Sequence, residues 1–316
     1  MEHSPISSEK KRILIVGAGA VGQLIGCLMG QHGHVVSFLL KPGRSLGDIV
    51  ARDLDQGVVH TLERPTTVVA GDVIDPPDLL MVTVRGDQVD AALKLTRQYL
   101  GPHTSVAVVP PLLHDLLPRV RKAGIERPTF AMLVGFGVWP VGAELHWFRF
   151  PGGACLLSGE GDPAAFAAAE VFVVMLRETG LPAHALLAIP PVVRAMVVGE
   201  YALLMGWELV GWDIDRLPDD RELCALTAAA MADAVSVVMA PDADAADRVS
   251  ASMPPLELRT RSMSDNMRAI WRFHGPKIAL QTRQLVDGLI EEARRKKASA
   301  DSLLGCVPAS PDAPLV

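Results

Sequence analysis

Aliphatic residues first gather at Arg12–Val16, where RILIV forms the near-continuous apolar run of a parallel strand covered on both faces. A helix is predicted from about 20 to 30. The aliphatic signature then returns at 35–40, 79–84 and 105–109, with helical or turn-rich sequence between the runs. Strands alternating with helices predict an α/β fold whose N-terminal part is a Rossmann-type, doubly wound parallel sheet. Further strands are expected at 130–136 and 154–158, and a helix at 163–180, opened by Asp162 and Pro163 and closed by Gly180. Past Leu181 and Pro182 strand patterns give way to helical ones at 191–210, 219–239, 264–273 and 278–297, predicting a second, mostly α-helical domain. The expected division is an α/β domain over 10–182, a helical domain over 183–298, and a flexible tail over 299–316, where Ala, Ser, Pro and Asp mix without periodicity.

Composition narrows the classes. Over 316 residues, 49% apolar content is ample for real cores, and a net charge of -6 with 21% charged residues offers no basic stripe for a phosphate backbone. No nucleic-acid partner is expected. The most apolar stretches, 164–176 and 192–212, are broken by Glu170, Arg194, Glu200 and Glu208, so no membrane span is expected. MEHSPISSEK lacks the apolar core of a secretory signal, and a cytoplasmic location is expected. Cys27, Cys155, Cys224 and Cys306 are too scattered for a zinc pattern and read as unbridged thiols.

The chemistry begins with KRILIVGAGAVGQLIG. Gly17 permits a tight turn, Gly19 lets the backbone approach a pyrophosphate, and Gly22 lets helix pack on strand. The helix opening at Ala20 and Val21 adds free N–H donors and a favourable dipole. Past the second strand the chain reads Leu40-Lys41-Pro42-Gly43-Arg44, without the acidic residue that would hold the ribose hydroxyls of NAD. Lys41 and Arg44 stand where a 2′-phosphate would lie, which favours NADP(H) as cofactor; the alternative is a pair of solvated loop cations.

Together with GHVVSFLLK and PDLLMVTVRGDQVDAAL, the glycine segment resembles the ketopantoate reductase family, whose members reduce 2-oxo acids with NADPH. The likeness is close through about Gln98 and looser over the helical part. It implies that Lys41 meets the 2′-phosphate and that Arg85 replaces a lysine beside the cofactor. Pro110 and Pro111 stand where an Asn-Gly pair would flank the nicotinamide. The family's proton-donating lysine corresponds to Arg194, and the two asparagines after it to Val198 and Ala202, with Glu200 or Tyr201 reaching that face after a small register shift. Ser252 matches the substrate-binding serine, and Ser264 stands where the family has a carboxylate. Guanidinium does not surrender a proton in proteins, so Arg194 can clamp an anion but cannot act as the general acid. Tyr201, His274 or water would have to supply the proton.

Ordinary explanations compete at each of these residues. Arg194 can pair with Glu200, Glu208 or another acid; Glu200 and Tyr201 can be packing or solvated-face residues; His274, before Gly275-Pro276, can simply end a helix. Five tryptophans, at 139, 147, 207, 212 and 271, hint at an apolar or aromatic small-molecule substrate. The leading expectation is an NADPH-dependent reductase of a carbonyl, enone or imine other than ketopantoate, acting in the interdomain cleft. A protein using bound NADP(H) in a non-redox or sensing role is the competing one, ketopantoate reduction by a rearranged site is a third, and a homodimer is left open.

Overall fold

The aliphatic run at Arg12–Val16 is the first strand, β1, and it leads into a two-sided sheet. The computed structural model describes residues 9–109 and 116–307, and these divide into two units meeting between Ala188 and Ile189. In the first unit α1 (Ala20–Gln31) and β2 (Val35–Leu40) follow β1, then β3 (Ile49–Asp53), β4 (Val59–Leu62), β5 (Thr66–Val69), β6 (Leu79–Val82), α2 (Val89–Thr96), β7 (Ser105–Val108) and α3 (Leu116–Lys122). Next come β8 (Thr129–Leu133), β9 (Phe136–Val141), β10 (Glu144–Arg149), β11 (Cys155–Ser158), α4 (Pro163–Glu178) and β12 (Ala183–Leu186). The main sheet has the order β12-β11-β8-β7-β6-β1-β2-β5, parallel throughout except where β11 meets β8. The chain reverses direction across the sheet between β1 and β6, the switch point at which doubly wound sheets hold ligands.

Alternation along β1 explains why that strand is aliphatic from Ile13 to Val16. Ile13 and Ile15 enter a core with Leu24, Ile25 and Leu28 of α1 and Phe172 of α4, while Leu14 and Val16 face Val89 and Leu93 of α2. Gly26 admits the Phe38 ring, which would stand 2.4 Å from a Cβ placed there. A second sheet, β4-β3-β10-β9, packs Trp147 and Phe136 into the same core. Asp53, fully buried at the end of β3, is satisfied by Arg149 at 2.9 Å and by the backbone amides of Asp55 and Gln56.

The second unit is helical: α5 (Pro191–Leu209), α6 (Arg221–Met239), α7 (Ala243–Ser252), α8 (Leu256–Arg261), α9 (Asp265–Lys296) and α10 (Asp301–Cys306). By length and composition α6 would suit a membrane span, a test that core helices also pass, and it packs against α5 and α10.

Four sequence expectations are corrected. The boundary at 182 falls one strand early, because β12 pairs in register with β11 and belongs to the first unit. The strand expected at 130–136 ends at Leu133, with β9 beginning at Phe136. The helices expected at 264–273 and 278–297 are one, α9, which carries Pro276 inside it. Part of the expected tail is ordered as α10, which buries Leu303 and Cys306.

Candidate functional site

Two glycines of the β1–α1 turn, Gly17 and Gly22, each meet a separate steric demand. Gly17 lies at φ 107°, and a Cβ there would stand 2.9 Å from backbone atoms of Thr83 and Val84. At Gly22 a Cβ would come within 2.3 Å of the Gly17 carbonyl oxygen, so only glycine lets α1 sit this close to the strand ends. Gly19 is extended, and a Cβ there would meet nothing within 4 Å, so it borders open space. No side chain caps α1, which leaves the first-turn amides, from Ala20 and Val21 onward, without a capping acceptor. Among the described residues nothing accepts a hydrogen bond from the amides of Ala18 or Gly19.

A cavity of about 800 Å³ opens beside this turn. Gly17, Ala18 and Gln23 line one part of it, Leu40, Lys41 and Arg44 another, and Val84, Asp87, Gln88 and Ala91 a third. Lys41 and Arg44 are exposed at its rim, and among the described residues neither side chain has an ion-pair partner. Arg85 behaves differently: its guanidinium makes a two-pronged contact with Asp87, at 3.1 and 2.9 Å, and it is not among the cavity-lining residues. Pro110 and Pro111 lie outside the described residues.

Thr83 and Gln23 were not among the residues read as candidates in the sequence. The Thr83 hydroxyl donates to the Gly17 carbonyl at 2.6 Å, and Gln23 Nε2 donates to the Ala18 carbonyl at 2.8 Å. A threonine closing an aliphatic strand carries no distinguishing signal until its neighbour across the sheet is known.

In the helical unit the candidates are engaged locally. Arg194 donates to Glu292 on α9 at 3.2 Å, and Glu292 also meets Lys296 at 2.9 Å. Burial lowers the Arg194 pKa and Glu292 opposes the shift. Glu200 is clamped by Arg259, and Glu208 by Arg283, so the partner of Arg194 is neither of the two nearby acids on its own helix. Tyr201 is buried with its hydroxyl unpartnered among the described residues; burial, with Glu200 adding to it, pushes its pKa well above the ordinary tyrosine value. Ser252 donates to the Val249 carbonyl of its own helix at 2.7 Å, and Ser264 is the N-cap of α9, accepting from the Met267 amide at 3.3 Å. His274 lies inside α9 and does not end it; burial first, and Lys277 second, lower its pKa. Of the five tryptophans, Trp139, Trp147 and Trp207 are core residues, which leaves Trp212 and Trp271 partly exposed. Among the described residues no cluster of three or more His, Cys, Asp or Glu side chains is placed to hold a metal ion.

These features describe a Rossmann-type domain followed by a helical unit. Residues 13–110, under a third of the chain, match the model of the family described as ketopantoate reductase PanE/ApbA. The fold is similar to that of 2-dehydropantoate 2-reductase from Geobacter metallireducens, with a TM-score of 0.72 at 14% identity over 93% of this chain and 97% of that one. A dimeric ketopantoate reductase from Staphylococcus aureus gives 0.70 at 15% identity, covering 93% and 96% of the two chains. D-mandelate dehydrogenase in ternary complex with NADH and anilino(oxo)acetate gives 0.69 at 14% identity, also covering 93% and 96%.

Proposed function

We propose that the protein binds NADP(H) in the cavity beside the glycine turn and reduces a carbonyl, enone or imine substrate other than 2-dehydropantoate. The observation that carries this is the pairing of backbone amides at Ala18 and Gly19 with two side-chain cations, Lys41 and Arg44, none of these groups having a hydrogen-bond or ion-pair partner among the described residues, around one cavity of about 800 Å³. The amides suit a diphosphate, and the cations suit the additional phosphate that distinguishes NADP(H) from NAD(H). When bound, the reduced nicotinamide supplies a hydride. Gly17, Gly19, Ala20, Val21 and Gly22 hold the diphosphate, and Lys41 and Arg44 select the phosphorylated ribose.

The exclusion of 2-dehydropantoate rests on the helical unit. Arg194 stands where the family's proton donor is expected, yet guanidinium cannot serve as a general acid and this one is occupied by Glu292. Tyr201 is buried, and burial raises its pKa, which makes it a weaker acid than an ordinary tyrosine and a poor replacement. A substrate whose product is protonated from water fits this environment better, and an apolar or aromatic one is the finer expectation. We also propose a homodimer, supported by the dimeric S. aureus relative and tested by light scattering.

The engagement of Arg194 also supports a second reading, in which the dinucleotide is held for a non-redox or sensing purpose. Steady-state assays with NADPH and a panel of oxo acids, ketones, enones and imines separate the two. Substrate-dependent oxidation of NADPH with a matching reduced product is the expected result. Absence of turnover and of hydride exchange across the whole panel overturns the reductase reading, and efficient turnover of 2-dehydropantoate overturns the substrate exclusion.

A further inference from the structure

A turn that receives an anion must keep its carbonyl oxygens out of the way, because each presents negative charge as readily as an amide presents a donor. In a trans peptide the C=O and the following N–H point in opposite directions, so fixing one fixes the other. The Gly17 carbonyl is drawn toward β6 by the Thr83 hydroxyl at 2.6 Å, with the Val16 carbonyl a longer alternative acceptor at 3.2 Å. The Ala18 N–H, on the same peptide plane, is thereby turned away from β6. The next plane is held in the same manner: Gln23 Nε2 donates to the Ala18 carbonyl at 2.8 Å, which orients the Gly19 N–H.

Steric contacts define how closely Thr83 must sit. A Cβ at Gly17 would approach Thr83 Oγ1 to 3.0 Å, and a Cβ at Gly22 would approach it to 2.6 Å. The two glycines that crowd this hydroxyl are two of the three that define the turn, so their lack of side chains serves the approach of Thr83 as well as that of a ligand.

We propose that Thr83 is a positioning residue for dinucleotide binding, which sets the peptide planes of the turn so that the amides of Ala18 and Gly19 face the diphosphate. Gln23 acts beside it on the second plane. Thr83 itself does not line the cavity and so acts through the turn. The inference rests on the proposal that the cavity binds NADP(H).

The test compares two probes on the full chain by calorimetry: NADPH, which carries the diphosphate, and adenosine 2′-monophosphate, which keeps the adenine and the 2′-phosphate but lacks it. Thr83→Val, which keeps the shape and removes the hydroxyl, is expected to weaken NADPH by about tenfold or more, the scale of a lost charge-assisted hydrogen bond. It is expected to leave adenosine 2′-monophosphate unchanged, and Thr83→Ser should restore NADPH binding. Gln23→Met supplies an independent arm with the same probe dependence should Thr83→Val fold poorly. Unchanged NADPH affinity in Thr83→Val, or in Gln23→Met where that arm is needed, overturns the proposal, as does an equal loss for both probes. A wild-type protein that binds neither probe overturns the cofactor reading itself, and this inference with it.

Discussion

Lys41 and Arg44 are exposed cations at the rim of the cavity, with nothing among the described residues neutralising them. Their double replacement, Lys41→Ala with Arg44→Ala, is expected to weaken NADPH about tenfold or more while leaving NADH within about threefold, because only the former carries the phosphate they would meet. Equal losses for both cofactors in paired calorimetric titrations would assign the two residues to the loop alone. His34 makes a second prediction at this scale. Its Nδ1 accepts the Lys11 amide at 3.2 Å, and the ring is 6% exposed with Nε2 unpartnered among the described residues. Burial lowers its pKa below the ordinary 6.5; Glu178 partly opposes the shift, and His32 and Lys11 reinforce it. The neutral ring therefore contributes stability that is complete above about pH 6.5 and is lost as pH falls through the lowered value, since the unfolded chain takes up the proton first. Thermal melts from pH 7 to pH 5 should show a decline that is shallower in His34→Gln; parallel profiles would remove His34 as its source.

Among the elements, the β1–α1 turn separates folding from binding. Gly22→Ala would drive a methyl into the Gly17 carbonyl at 2.3 Å and is expected to cost about 1–3 kcal/mol of stability along with cofactor affinity. Gly19→Ala meets open space, so its melting temperature should stay near wild type while NADPH affinity falls. Equivalent melting losses in both variants would show that the turn is read wrongly. This same turn, and the strands around it, were legible in the sequence because burial on both faces makes β1, β2, β6 and β7 predominantly apolar. The strands that escaped reading, β3, β4, β5, β9, β10 and β12, interrupt their apolar residues with polar ones, glycine or proline, as in IVARD, FGVWPV and ELHWFR, or bury too little to show an aliphatic run, as in VHTL of β4 and TTVV of β5. Pro276 was taken as a break because proline removes an intrahelical hydrogen bond. The helix continues through it with the Trp212 ring packed on Gly275, where a Cβ would stand 2.2 Å from the ring. Gly275→Ala is expected to destabilise the helical unit by about 1–3 kcal/mol, measured by chemical denaturation; an unchanged midpoint would show that this ring contact is not needed.

Across the whole molecule the two units differ in how far their sequence discloses their role. The N-terminal unit carries its chemistry in backbone geometry, which glycine spacing announces. The helical unit holds its charged candidates in ion pairs between helices distant in sequence, Arg194 with Glu292 and Glu208 with Arg283, and no local pattern identifies such partners. Ser264 illustrates the same limit: read against the family it replaces a carboxylate, and in the fold it caps α9. The likeness to ketopantoate reductases is carried by the segment 13–110, and Arg194, Val198, Ala202 and Ser264 of the helical unit depart from that family's pattern. Calorimetric titration of the full chain with NADPH, set beside NADH, decides whether this chain is an NADP(H) protein. Saturable binding of one NADPH per chain and markedly weaker binding of NADH is the expected result. Failure of NADPH to bind well-folded protein, or a preference for NADH, would contradict it.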